Sequence, residues 1–213
     1  MSWKRVICGF SLVLFGALSG WAEGPKRLLL IGDGGSHERG AHEHMPGLRV
    51  LAKCLADVPN LEVSIYEAGE NWPEGPELIR QADGIVLFLD QAARWEQLDA
   101  KRKAAVEDLM KRGGGVTAIH SGIMGKDPVY IPFHLDLVGA CHGGPDRKYI
   151  HTDTKVTVVA KDHPITTGVD DFQLNDEFYY NLKRTGKGKL TELLTADIEG
   201  RPEMCAWAFE RPD

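Results

Sequence analysis

Short apolar runs alternate with stretches of helical spacing along the first 120 residues. Residues 26–31 (KRLLLI) are followed by Gly32-Asp33-Gly34-Gly35, the pattern of a strand covered on both faces. Residues 46–57 carry Leu48, Leu51, Ala52 and Leu55 at helical spacing. Residues 61–66 (LEVSIY) alternate as a second strand, and 76–81 form a short helix behind a loop rich in Pro and Gly. Residues 84–89 (GIVLFL) are a third strand ending at Asp90. The clearest helix is predicted over 95–112, with Leu98, Ala105, Val106 and Leu109 on one face and Gly113 to Gly115 as its stop. Residues 116–119 run as a fourth strand into His120-Ser121-Gly122. This alternation predicts an α/β fold with a parallel sheet and right-handed crossovers. Past residue 122 the texture changes: 150–160 reads as a long strand, 172–180 is aromatic and acidic, and 190–196 and 205–209 are further strands.

The first 22 residues read differently. Lys4 and Arg5 precede an apolar run over 6–18, and Gly20 and Ala22 supply the small residues of a signal-peptidase site. The run is short for about 30 Å of hydrocarbon, so a removed secretory signal is preferred to an anchor. The expectation is an exported (periplasmic or extracellular) domain over 23–213, and 213 residues suit a single core. Removing 1–22 moves the formal charge from −6 to −8, because Lys4 and Arg5 go and no acid does. An acidic body argues against nucleic acid and, for the mature form, against membrane. Lys183, Arg184, Lys187 and Lys189 make one basic stretch, read as a solvated turn. Cys54, Cys141 and Cys205 remain, without a C-x-x-C pair. An odd number leaves at least one thiol free, buried small hydrophobes are preferred, and any pairing stays open. At the other end a strand-like run and a turn signal (Glu210-Arg211-Pro212) lead to Asp213, so a hairpin partner is expected beyond it.

In an open parallel sheet, ligands bind outside the carboxyl ends of the strands. That rule gathers Asp33, the stretch from Ser36 to His44 (SHERGAHEH), Asp90, His120 and Ser121 at one edge. The histidine-rich stretch invites a zinc reading but is not H-E-x-x-H. His37 and His42 are five apart and do not share a helical face. His42 and His44 could ligate only from a loop, and a polar loop at a helix start is preferred for them. His37, nearer the strand end, is the stronger candidate. His120 stands where a nucleophile elbow exposes its reactive group. An imidazole there can be base, acid, ligand or donor, and the bland alternative is a packed His bonded to a backbone carbonyl. Ser121 comes one residue later and would point elsewhere. In a second cluster, Asp176 and Glu177 could hold hydroxyls or act as acid and base, while Tyr179 or Tyr180 could pack a sugar face. His163, before Pro164, suits a turn, and His142 and His151 suit structural or surface roles.

Three segments together resemble the ThuA-like (trehalose-utilisation) family, a branch of the class I glutamine amidotransferase-like fold. They are the GVTAIHSG elbow, HPITTG followed by FQLNDEFYY, and the first strand with its His-bearing loop. The likeness runs from Lys26 to the end. It implies a flavodoxin-like three-layer sandwich with a mainly parallel sheet, and a link to carbohydrate use. Members normally continue past this chain's end with a Gly-rich turn, a further strand and a Gly-His. No Gly-x-Cys-x-Gly is present, and release of ammonia from glutamine needs a thiolate at the elbow. The leading expectation is an enzyme for a small-molecule carbohydrate or oxidised sugar, by hydrolysis, isomerisation or elimination. Its catalytic residues would be His120, Glu177 and Asp176. Its substrate contacts would be His37, Asp90, Ser121, Tyr179 and Tyr180. A divalent metal such as zinc would sit on His37 and His120. The alternatives are a non-catalytic carbohydrate-binding module and a degenerate amidotransferase-like protein without glutaminase activity. The cofactor stays open, as does a homo-oligomer.

Overall fold

The computed structural model describes residues 24–35 and 40–212. The expected signal segment and His37 lie outside the described residues. Four strands, β1 (Lys26–Gly32), β2 (Leu61–Glu67), β3 (Gly84–Phe88) and β4 (Gly115–Ala118), form one parallel sheet in the order β2-β1-β3-β4. Strand periodicity divides their apolar side chains between two faces. Leu29, Ile31, Ile85 and Leu87 pack with Ile79, Ala105, Val106 and Leu109 on one side. Leu30 and Val86 pack with Leu48 and Leu51 on the other. Helix α1 (His44–Cys54) therefore covers one face, and α2 (Gly75–Gln81) and α4 (Ala100–Lys111) the other. Burial on both sides accounts for unbroken apolar runs such as GIVLF.

The single helix expected over 95–112 is two. Helix α3 (Ala92–Leu98) stops at Asp99, whose extended backbone (φ −112°, ψ 124°) begins α4. Asp99 Oδ1 accepts the Arg102 N–H at 2.7 Å, an N-cap set inside an otherwise helical pattern. Helix α5 (Ile131–Val138) was not expected, although Gly139, in left-handed backbone (φ 85°), ends it as a C-terminal glycine does.

The expected parallel architecture describes only the first four strands. Strand β7 (Lys148–Val158), β8 (Phe172–Tyr180), β10 (Lys189–Ile198) and β11 (Arg201–Glu210) form a second sheet in the order β11-β10-β7-β8, antiparallel throughout. Between them lies a small mixed sheet of β5 (Met124–Gly125), β6 (Ala140–Gly143) and β9 (Lys183–Arg184). The molecule is α/β, but a mainly parallel sheet is a correction its second half imposes. The physical reason is connection length. Two residues join β10 to β11, and a connection that short cannot cross over to make a parallel pair. In β8, alternation sends Phe178 into the core of this sheet with Val156, Ala196 and Ile198, and turns Glu177 and Tyr179 to the opposite face.

The two halves meet at the end of β4. After Ile119 the chain turns into a 3₁₀ segment, His120–Ile123, with His120 in left-handed backbone (φ 48°). The turn is tight because Gly122 lies against β3, where an added Cβ would come 2.2 Å from the Leu87 carbonyl oxygen. Substituting Gly122→Ala is expected to destabilise the fold by about 3 kcal/mol, through forced displacement of one strand end. Urea unfolding should show a lower midpoint at unchanged slope. An unchanged midpoint would refute the close approach.

Candidate functional site

Three loops at the carboxyl end of the parallel sheet deliver the polar groups, and β8 adds two from the antiparallel sheet. His42 lies just before α1, His120 at the turn after β4, and Glu177 and Tyr179 on β8. His42 Nε2 and His120 Nε2 are 2.9 Å apart. Glu177 Oε2 is 3.1 Å from His120 Nε2 and 3.4 Å from His42 Nε2. The Tyr179 hydroxyl is 3.4 Å from His120 Nε2. His42, His120 and Glu177 keep side-chain exposures of 16%, 23% and 13%, so the cluster is reachable from solvent. It borders a cleft of about 1390 Å³ between β4 and the antiparallel sheet, whose lining includes His120, Asp176, Glu177 and Tyr179.

The backbone here is strained. His42 (φ 52°), Gln91 (φ 52°) and His120 (φ 48°) are all left-handed. Such a conformation in a residue other than glycine costs of order 1–3 kcal/mol and concentrates at functional sites. Two of the facing imidazoles therefore stand on backbone that must be held in place.

Beneath the cluster lies a second layer, in which the Asp33 side chain is 24% exposed while its two partners are closed to solvent. His44, the first residue of α1, is 1% exposed and Ser121 is 0% exposed. Asp33 Oδ1 lies 2.5 Å from His44 Nδ1, and His44 Nε2 lies 2.9 Å from Ser121 Oγ. Asp33 Oδ2 accepts the Asp90 N–H at 2.9 Å, and Oδ1 also accepts the Gly35 N–H at 2.9 Å. Burial alone would raise the Asp33 pKa. The His44 hydrogen bond and the two backbone donors outweigh it and hold the carboxyl below its ordinary range. A carboxylate on Nδ1–H leaves His44 Nε2 to accept the Ser121 hydroxyl proton.

Electrostatics in the outer layer follow from burial. Burial pushes His120 below the ordinary imidazole range and the neighbouring His42 adds to this, while the Glu177 carboxylate opposes it. Burial and Arg147 push His142 down to about 4. Burial and Glu177 push Tyr179 up, which keeps its hydroxyl protonated. Tyr179 stacks on both His120 (4.5 Å between ring centroids) and His142 (4.0 Å).

Several expectations need correction. Ser121 is sealed from solvent and cannot touch a substrate; its hydroxyl belongs to His44. Tyr179 is buried with imidazoles stacked on it, and Tyr180 packs on the core of the antiparallel sheet, so neither is a free platform for a sugar. Of the two adjacent acids, Glu177 joins the histidines, while Asp176, also in the cleft lining, accepts the Glu177 N–H on its Oδ1. The partner of His120 is His42, which sequence reasoning set aside as a polar loop. The Asp33–His44–Ser121 chain was not foreseen. The His42-x-His44 spacing at a helix entry was its one legible sign.

The other expected residues fall as follows. Asp90 gives its backbone N–H to Asp33. His151 stands at the rim, with Nε2 3.7 Å from Glu177 Oε1. His163 Nδ1 accepts the Ile165 N–H in a turn, and buried His142 sets Nε2 3.1 Å from the Lys148 carbonyl. Cys54, Cys141 and Cys205 are free thiols. Burial raises Cys141 to about 12 and Cys205 to about 11, so neither supplies a thiolate.

The family model described as "ThuA: Trehalose utilisation" matches residues 35–209. A crystal structure described as a putative ThuA-like protein from Bacteroides uniformis is similar at TM-score 0.66 and 16% identity, over 91% of this chain and 82% of that one. The cytoplasmic protein STM1381 from Salmonella typhimurium is similar at TM-score 0.53 and 17% identity, over 87% of each chain. At such identities the likeness is one of fold. No curated protein matches the chain.

The lowered pKa of His142 predicts acid sensitivity. Its ordinary value is about 6.5 and its folded value about 4. The unfolded chain therefore takes up a proton first as pH falls. Stability is complete above pH 6.5 and declines toward pH 4, by on the order of 2 kcal/mol, with His120 acting in the same direction. Denaturation across that window should show the decline, and His142→Phe, which retains a stacked ring, should reduce it. Equal slopes in both proteins would refute the assignment.

Proposed function

The chain belongs to the ThuA (trehalose-utilisation) family, and on that footing we propose that it is an exported enzyme acting on a carbohydrate or oxidised sugar derivative. Its working groups are His42, His120 and Glu177. The observation that carries this reading is the convergence of two imidazoles on left-handed backbone with a carboxylate, all within 3.4 Å, beside a cleft. A structural polar network has no need of two strained histidines facing each other. Export rests on the charged and apolar pattern of residues 4–22.

The donor set also suits a divalent metal. Ligands about 2.0–2.1 Å from a tetrahedral ion lie about 3.3 Å from one another, and the three donor atoms here are 2.9–3.4 Å apart. Two histidines and one carboxylate leave coordination positions open, as zinc hydrolases and iron(II) enzymes require. Among the described residues His42, His120 and Glu177 would hold the ion; His37, the other ligand expected from sequence, lies outside them. A bound metal would polarise a sugar carbonyl or lower the pKa of water.

The chain's own groups can handle protons. With one proton shared between His42 Nε2 and His120 Nε2, one nitrogen is a donor and the other a base. Glu177 Oε2 accepts from the protonated ring and keeps that proton in the cluster. Tyr179, held protonated, can donate its hydroxyl hydrogen to a substrate oxygen that gains charge. Hydrolysis, isomerisation and elimination all draw on a base and a donor so arranged. The buried Tyr179 and the core-packed Tyr180 do not supply the open aromatic platform that the binding-module alternative expected of them. A glutaminase would need a thiolate at position 120, which is histidine.

The test is metal analysis of the mature protein followed by a screen of disaccharides and keto-sugars. One divalent ion per chain is expected. Substituting His120→Ala should lower turnover by about 10³-fold, and Glu177→Gln should cut metal affinity at least as strongly. Wild-type turnover that survives both substitutions would overturn the reading.

A further inference from the structure

The Asp33–His44–Ser121 chain has the bonding order of a serine hydrolase triad: carboxylate to Nδ1, and Nε2 to hydroxyl. Its exposure is wrong for that use. Ser121 and His44 are 0% and 1% exposed, and the elbow presents His120 instead of the serine. We propose that these three are positioning residues: one buried imidazole fixes both His42 and His120 in the facing arrangement the outer cluster requires.

The geometry gives the route. Ser121 follows His120 directly, so its hydrogen bond to His44 anchors the elbow one residue from the left-handed φ. His44 follows His42 by two residues at the start of α1, so the same ring also anchors the loop that carries the second left-handed histidine. The His42 and His44 rings are nearly parallel (8°), with centroids 6.0 Å apart. Phe88 packs edge-on against His44, with ring centroids 4.7 Å apart. Asp33 completes the brace, because its second oxygen holds the Asp90 N–H at the end of β3. The ends of β1, β3 and β4 and the start of α1 thus share one hydrogen-bonded knot. Partners of this kind orient metal-binding or catalytic groups, and their loss commonly costs 10–100-fold in affinity.

As a metal-ligand brace the inference rests on the proposed function; as a geometric one it does not, and two readouts separate them. The first uses metal-free full chain labelled in histidine. Nuclear Overhauser cross-peaks are expected between the His42 and His120 rings, whose centroids are 4.7 Å apart. They should be lost in Ser121→Ala, which deletes one hydroxyl, and in His44→Phe, which keeps a ring in the slot. Asp33→Asn should give a smaller loss. The second readout is zinc titration, with a 10–100-fold weaker affinity expected in Ser121→Ala and His44→Phe and no binding in His120→Ala. Cross-peaks and affinity unchanged in both folded variants would overturn the proposal. Labelling of Ser121 by a fluorophosphonate would overturn it too, by making the serine a nucleophile. Absence of zinc binding in the wild type would sink the metal reading alone, while loss of the cross-peaks would still support the brace.

Discussion

The site depends on one buried ring bonded at both ends. His44 receives a carboxylate on one nitrogen and a hydroxyl on the other, in a place closed to water. A buried imidazole with either nitrogen unmet would carry the cost of an unsatisfied polar group. Meeting both at once requires the loop after β1 and the turn after β4 to hold a fixed distance from the start of α1. The outer histidines inherit that distance. Their own backbone is unfavourable for a residue with a Cβ, so the inner hydrogen bonds offset strain that the outer cluster cannot relieve by itself.

The parallel half was legible because each strand there is buried on both sides and its apolar run is continuous. GIVLF cannot be mistaken for a surface segment, and Asp90 and His120 follow their strands as the carboxyl-end rule requires. The Asp99 break was harder to see. An acid at helical spacing looks like surface charge until its side chain is found capping the next turn. The antiparallel half was legible as strands but not as topology, since pairing is decided by connections and not by periodicity alone. The site was half legible. His120 and Glu177 stood out by position and company. His42 did not, because its role comes from a loop conformation (φ 52°) that no local pattern specifies. Ser121 was expected as a substrate contact, and its actual partner is set by α1, 77 residues distant.

The polar groups gathered at the elbow are imidazoles and a carboxylate, not thiols. The thiols of Cys141 and Cys205 are buried and held protonated, remote from the elbow in role. The turn has the shape of an elbow: a left-handed residue, a glycine two residues on, and a carbonyl that permits nothing larger. A turn built to expose one side chain above a sheet can carry any group that tolerates the backbone. Histidine tolerates it better than branched residues do.

The basic stretch after β8 carries its own consequence. Lys183 pairs with Asp146, Arg184 with Glu192, Lys187 with Asp136 and Lys189 with Glu210. Each cation is cancelled locally, and the net negative charge (−6 for the full chain, −8 without residues 1–22) is left to set the far field. A sugar acid approaching this surface meets repulsion that a neutral sugar does not. Its encounter rate is slower in dilute buffer, and the difference shrinks as added ions shorten the reach of the field.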